Sequence, residues 1–144
     1  MVAAVGKANV LIQGQDGEVI FDSAADEFTA AKSLADRAAH NVRLQRMLDD
    51  MQRFYGDPEK KLAPLYDVLQ AVETQFHGRD NVAPALKISA KDVQDLGRIC
   101  NNRDIFNARH PGKGTSPKRP ATAQELELCE RVAETIIDRF AGTV

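Results

Sequence analysis

Apolar residues recur every three or four positions over most of the chain after residue 23, and this spacing limits the fold more than any other feature. It places the apolar side chains along one face of a helix. Helices of this kind with short connections bury those faces against one another. We therefore predict a mostly α protein in which residues 23–144 form a single bundle of four or five helices. The periodic positions are Phe28, Ala31, Ala35, Ala38, Val42, Leu44, Met47, Leu48, Met51, Phe54, Leu65, Leu69, Val72, Phe76, Val93, Leu96, Ile99, Cys100, Leu126, Cys129, Val132, Ala133, Ile136, Ile137 and Phe140.

Local signals predict where these helices begin. Residues 24–54 form either one long helix or two helices with a bend near His40-Asn41. A second helical region is expected from about Ala63, after an irregular turn that contains a proline. Ser89 is a candidate N-cap for the next helix, and the sequence TAQE from Thr122 to Glu125 is a capping box that starts the last one.

The first 22 residues carry the β-type signal. Val10–Gln13 and Glu18–Phe21 are short runs rich in β-branched and apolar residues, and Gly14 and Asp16-Gly17 lie between them. This arrangement predicts a β-hairpin, which we treat as an appendage of residues 1–22. An isolated hairpin is marginally stable in water, and its edges can pair with a second copy of the chain. We therefore expect a homodimer.

Two connections break the helical pattern. Residues 79–89 (RDNVAPALKIS) are predicted to be a connector with about one helical turn. Residues 101–120 (NNRDIFNARHPGKGTSPKRP) are rich in helix breakers. Between positions 98 and 119 there are six basic residues and one acidic residue, in a chain whose formal net charge is −2. This local charge indicates an anion site rather than a globally basic protein.

The remaining composition excludes several classes of protein. The two cysteines, Cys100 and Cys129, lie on apolar helical faces without zinc-type spacing; we expect buried thiols in a reducing compartment, with a disulfide as the alternative. No two histidines are close in sequence, so we expect no metal site and no cofactor. No apolar run reaches the length of a membrane span, and the N-terminus has no signal-peptide layout. These features predict a cytoplasmic protein without a membrane partner.

One combination of residues in 101–120 is typical of a known family. Arg103 is followed by the polar Asp104, and His110 stands seven positions after Arg103. This resembles the Arg–His signature of HEPN domains, which are helical bundles of four or five helices and are commonly dimeric. The resemblance implies a protein that binds RNA or cuts it without a metal, often in toxin–antitoxin or defence systems. Other members of the family lack the signature and bind nucleotides or proteins.

The resemblance assigns roles to individual residues. His110 would be the general acid/base, because its pKa lies near neutrality. Arg103 would stabilise charge on the phosphorane through bidentate hydrogen bonds. Asp104 matches the polar follower of the motif, and we group it with the basic residues Arg109, Lys113 and Arg119, which would hold the substrate and its phosphates. The chain is thus a candidate metal-independent endoribonuclease.

Three other interpretations stay open on the sequence. The stretch 101–120 can be a solvated basic loop, in which Arg103 caps the carbonyls of the preceding helix and His110 bonds to its own backbone. The chain can be a non-catalytic helical interaction or assembly protein with a protein partner. Alternatively, the same loop can bind a small phosphate or a nucleotide without catalysis, since Gly112 and Gly114 let backbone amides approach an anion.

Overall fold

The computed structural model describes residues 11–13, 19–109 and 118–144, with side chains described for 26–109 and 118–144. Within these ranges it contains six helices, which confirms the mostly α bundle. Residues 24–54 form two helices rather than one, and part of the expected connector 79–89 is a helix, so the number exceeds the four or five predicted. The helices are α1 (Ser23–Ala39), α2 (Val42–Gly56), α3 (Ala63–Gln75), α4 (Arg79–Leu86), α5 (Ala90–Cys100) and α6 (Ala123–Ala141).

Two short strands precede the helices. β1 (Leu11–Gln13) and β2 (Val19–Asp22) pair antiparallel, with Leu11 opposite Asp22 and Ile12 opposite Phe21. Residues 14–18, which would form the turn, lie outside the described residues. The hairpin and the division of the chain at residue 22 therefore stay predictions.

Side-chain caps explain three of the helix starts. The break between α1 and α2 occurs at Asn41, whose side chain accepts a hydrogen bond of 2.9 Å from the backbone N–H of Leu44. Ser89 caps α5 through the backbone N–H of Asp92. Thr122 and Glu125 form the predicted capping box of α6. Each of these caps satisfies backbone donors that the first helical turn leaves unpaired.

The core lies between α2, α3, α5 and α6. Helix α6 contacts the other three, and its Ile136 is fully buried. The largest fully buried side chains are Phe54, Leu44, Met47, Leu62, Leu65, Leu69, Leu96, Ile105 and Ile136. All but two of them were predicted from the helical spacing; Leu62 and Ile105 lie just outside the periodic segments. No helix of the described residues is long and apolar enough to cross a bilayer.

Helices α1 and α4 differ from the sequence expectation. The periodic positions Phe28 and Val42 are 72% and 68% exposed, and of the apolar stripe on α1 only Ala38 is buried. Helix α4 extends over two turns although it contains Pro84, and it ends at Lys87 in the left-handed conformation. Gly78 (φ +136°) makes the turn from α3 into α4, a conformation that residues with a Cβ rarely adopt.

Candidate anion-binding site

The first and last parts of the stretch 101–120 are joined by backbone hydrogen bonds. Ile105 and Arg119 form a parallel bridge: the N–H of Phe106 donates to the carbonyl of Arg119 (3.0 Å), and the N–H of Arg119 donates to the carbonyl of Asp104 (2.8 Å). Ile105 itself is fully buried. The bridge holds the segment after α5 and the segment before α6 side by side.

Asn107 joins this bridge to a third segment. Its side-chain carbonyl accepts a hydrogen bond from the N–H of Ala121 (3.1 Å), and its side-chain amide donates to the carbonyl of Glu59. Its own backbone carbonyl accepts from the N–H of Leu62 (2.8 Å). Asn107 is buried and therefore links the α2–α3 connection, the stretch after α5 and the start of α6. Asn107 was not predicted to be a structural residue, because its position among loop-forming residues gives no signal of burial.

Arg103 and Asp104 lie in an exposed turn directly after α5. The N–H of Asp104 donates to the side chain of Asn102 (3.0 Å), which shapes the turn. The Arg103 side chain has no ion pair or hydrogen bond with another described residue. Among the described contacts, the Arg103 side chain does not cap the carbonyls of α5. Both residues are available to solvent.

Arg109 lies nine residues after the end of α5, and it is half-buried. Its backbone N–H donates to the carbonyl of Cys100 at the end of α5 (2.8 Å). Its guanidinium carbon lies 4.4 Å from the ring centroid of Tyr66 on α3, which is cation–π geometry. No carboxylate among the described residues forms an ion pair with Arg109.

Arg79 approaches the same tyrosine but is already paired. It forms an ion pair with Glu73, donates to the Tyr66 hydroxyl (3.1 Å), and lies 5.8 Å from that ring. Its guanidinium also covers Gly97 on α5, where an added Cβ would overlap it. Buried Tyr66 and half-buried Arg79 and Arg109 thus form a cluster, which we call the Tyr66 cluster. Arg79 is neutralised in it, and Arg109 has no carboxylate partner among the described residues.

Arg119 is bound at the start of α6. Its guanidinium makes two 2.8 Å hydrogen bonds to the carboxylate of Glu125 and one of 3.0 Å to the carbonyl of Pro120. The hydrogen bond to Arg119, together with that to the backbone N–H of Thr122, lowers the pKa of Glu125 to about 2, although partial burial opposes the shift. Arg119 therefore has a carboxylate partner already, and its assignment as a phosphate-binding residue stays a prediction.

Two of the predicted site residues, His110 and Lys113, lie outside the described residues. Of the other predicted residues, Arg109 is bound to the end of α5 next to the Ile105–Arg119 bridge. Arg103 and Asp104 lie in the turn directly after α5. Within the described ranges, no group of three His, Cys, Asp or Glu side chains is arranged to hold a metal ion. A surface groove of about 560 Å³ is lined by α1, Asn41 and Val144, and no residue of 101–109 contributes to it.

Comparisons with protein-family models, with curated proteins and with solved structures found no match to this chain.

Proposed function

We propose that the protein binds a phosphate-bearing ligand, RNA in particular, through Arg109 and Arg103, in the manner that the resemblance to HEPN domains implies. The observation that carries this proposal is the state of Arg109, which is stacked 4.4 Å from the Tyr66 ring without a carboxylate partner among the described residues. By contrast, Arg98 and Arg119 are paired with Asp95 and Glu125.

A stacked guanidinium is suited to phosphate. The contact with the Tyr66 ring restricts the Arg109 side chain, so that less side-chain freedom is lost when its N–H groups bind an anion. Two parallel N–H donors match two phosphate oxygens. Single-stranded RNA adds a further possibility, because its unpaired bases stack on aromatic rings and on guanidinium planes. Arg103, six residues earlier and exposed, adds a second cation on the same stretch.

Cleavage is the further part of this proposal. His110 directly follows Arg109 in the chain and would act as general acid/base, and Arg103 would stabilise the charge that develops on the phosphorus. A homodimer, in which two such stretches form one basic cleft, and the N-terminal hairpin belong to the same proposal. So does a cytoplasmic location, which is supported by the two free, buried cysteines.

The binding test compares wild type with Arg109→Ala and Arg103→Ala on a short fluorescein-labelled single-stranded RNA of mixed sequence, measured by anisotropy over a salt series. We expect Arg109→Ala to weaken binding about tenfold and to reduce the salt slope by about 0.7. Arg98→Ala is the matched control, because Arg98 is exposed but paired with Asp95 (3.2 Å), and it should bind like wild type. Equal affinities for wild type, Arg109→Ala and Arg103→Ala would refute the binding site.

Cleavage is tested separately. Wild type and His110→Ala are incubated with the same RNA in the absence of divalent metal, and we expect only the wild type to produce fragments. Negligible cleavage by both proteins would remove the enzymatic part and leave the binding proposal intact.

The exposed side chains of α1 favour a second function, assembly through a copy of the same chain. Phe28 is 72% exposed and is followed on the same helix by the exposed small residues Ala31 and Ala35. A large side chain beside small ones can pack against the same surface of a second copy. Sedimentation velocity should show a dimer for wild type that Phe28→Ser converts to monomer. A wild-type protein that stays monomeric at high concentration would contradict this function.

A further inference from the structure

The two cysteines of the chain lie in the same core, on two helices that pack on each other. Cys100 is the last residue of α5 and Cys129 lies in the second turn of α6; both are fully buried, and neither is in a disulfide. Helices α5 and α6 pack directly on each other. The neighbouring Cys129 thiol, together with burial, raises the pKa of Cys100 above its ordinary range.

Cys100 also contacts the candidate site directly. Its carbonyl accepts the hydrogen bond from the N–H of Arg109, and it ends the helix from which the stretch 101–120 departs. Cys129 lies seven residues after the N-cap Thr122 of α6, which follows the end of that stretch. The pair therefore brackets the whole segment.

We propose that Cys100 and Cys129 are a site of reversible disulfide formation that cross-links α5 to α6. A small-molecule disulfide is the oxidant: one protein thiolate attacks a sulfur of that molecule and releases one thiol. The second protein thiolate then attacks the resulting mixed disulfide, so that the Cys100–Cys129 bond forms and a second thiol leaves. Two protons and two electrons pass from the protein to the oxidant, and excess dithiol reverses both steps.

The cross-link would close a covalent loop around the 28 residues from Asn101 to Leu128. Such a loop restricts the unfolded chain, so the oxidised protein should unfold at a midpoint about 10 °C higher than the reduced one. Burial and the raised pKa of Cys100 make the thiolate scarce, and the oxidant must reach it during a local opening of the last turn of α5. We therefore expect slow oxidation at low temperature and a steep increase as the midpoint is approached. None of this depends on RNA binding.

The experiment treats wild type with oxidised glutathione at several temperatures below the unfolding midpoint, then denatures it in N-ethylmaleimide. Mass spectrometry should show a monomer with no maleimide and no glutathione attached, and a digest should contain the Cys100 and Cys129 peptides joined. Dithiothreitol should restore two reactive thiols and the lower midpoint. Two maleimides on every oxidised sample, stable glutathione adducts, or disulfide-linked dimers as the main product would overturn the proposal.

The single variants Cys100→Ala and Cys129→Ala sharpen this result. Each retains one thiol, so each should yield a glutathione adduct or no reaction, and neither should gain thermal stability on oxidation. A gain in midpoint for either variant equal to that of wild type would mean that the cross-link is not its cause. The wild-type digest decides the matter alone if a variant does not fold.

Discussion

Helices α1 and α6 have similar lengths and similar apolar spacing, yet they are bound to the molecule very differently. Helix α6 buries seven residues and contacts α2, α3 and α5. Among the described side chains of α1, 26–39, only Ala38 is buried. The apolar stripe of α1 consists mostly of alanine, and an alanine side chain removes little apolar area from water when it packs. Period alone therefore predicts that a helix forms, whereas the size of the periodic side chains decides how firmly it docks.

Helix α1 is attached by a side-chain hydrogen bond and by the apolar contacts of Leu34 and Ala38. A guanidinium N–H of Arg37 donates to the carbonyl of Ala141 near the end of α6 (2.6 Å), and half-buried Leu34 packs against the core cluster. A hydrogen bond of this kind contributes roughly 1 kcal/mol net. Stability should thus be concentrated in α2–α6, and α1 should contribute little. Four substitutions, in order of decreasing effect, test this contrast.

Ile136→Ala should have the largest effect. Ile136 is fully buried in α6, and removal of three carbons leaves a cavity where α2, α3 and α5 converge. We expect a loss of about 3–4 kcal/mol in the free energy of unfolding, measured by urea denaturation. A loss below about 1 kcal/mol would mean that α6 is not the centre of the core.

Asn107→Ala should cost about 2 kcal/mol, because it leaves the carbonyl of Glu59 and the N–H of Ala121 without their partner. Asn102→Ala is a matched control in the same stretch. Asn102 is half-exposed, and its side chain accepts a hydrogen bond from the N–H of Asp104, two residues away. The control should cost less than about 0.5 kcal/mol. Similar losses for both variants would show that the side-chain hydrogen bonds of Asn107 to Glu59 and Ala121 contribute little to the free energy of unfolding.

Glu125→Gln should change the pH dependence of stability. The pKa of Glu125 is about 2 in the folded protein and is ordinarily 4.5, so the carboxylate contributes stability above pH 4.5 that is lost as the pH falls towards 2. After screening by solvent we expect wild type to exceed Glu125→Gln by about 1 kcal/mol at pH 7, and the difference to vanish near pH 2. Glu127→Gln, at an exposed position on the same turn with no ion pair among the described residues, is the matched control and should cost less than about 0.5 kcal/mol at pH 7. A pH-independent difference for Glu125→Gln would contradict the ion pair with Arg119.

Phe28→Ala should have the smallest effect, below about 0.5 kcal/mol in the isolated chain, because the ring is 72% exposed. The measurement is the same urea denaturation, repeated at two protein concentrations. Where the proposed dimer through α1 forms, the loss should grow with protein concentration, and the contrast with α6 then describes the monomer. A loss above about 1 kcal/mol that does not depend on concentration would contradict the contrast.

Local sequence signals predicted the parts of the fold that local interactions determine. The start of α3 at Ala63, the Ser89 cap and the Thr122–Glu125 capping box are all confirmed, because each depends on residues within one turn. Helix α4 was predicted as about one turn and has two, since Pro84 in a short segment favours an irregular interpretation. The exposure of Phe28 was missed because docking depends on distant partners that periodicity does not reveal.

The candidate site shows the same division. The local excess of positive charge was visible in the sequence, but which guanidiniums have carboxylate partners was not. Arg109 contacts Tyr66 from 43 positions away, a separation that no short motif encodes. Arg119 is bound to Glu125, and that pairing had a readable signal, a basic residue shortly before a capping-box glutamate. The roles of His110 and Lys113 lie outside the described residues and stay predictions.

The parallel bridge between Ile105 and Arg119 has a consequence for engineering. Because Ile105 and Arg119 are joined by backbone hydrogen bonds and Asn107 binds the same junction to Ala121, the two flanking segments should keep their arrangement when the length of the chain between them is changed. The junction is thus a candidate point for insertions that leave the helices in place.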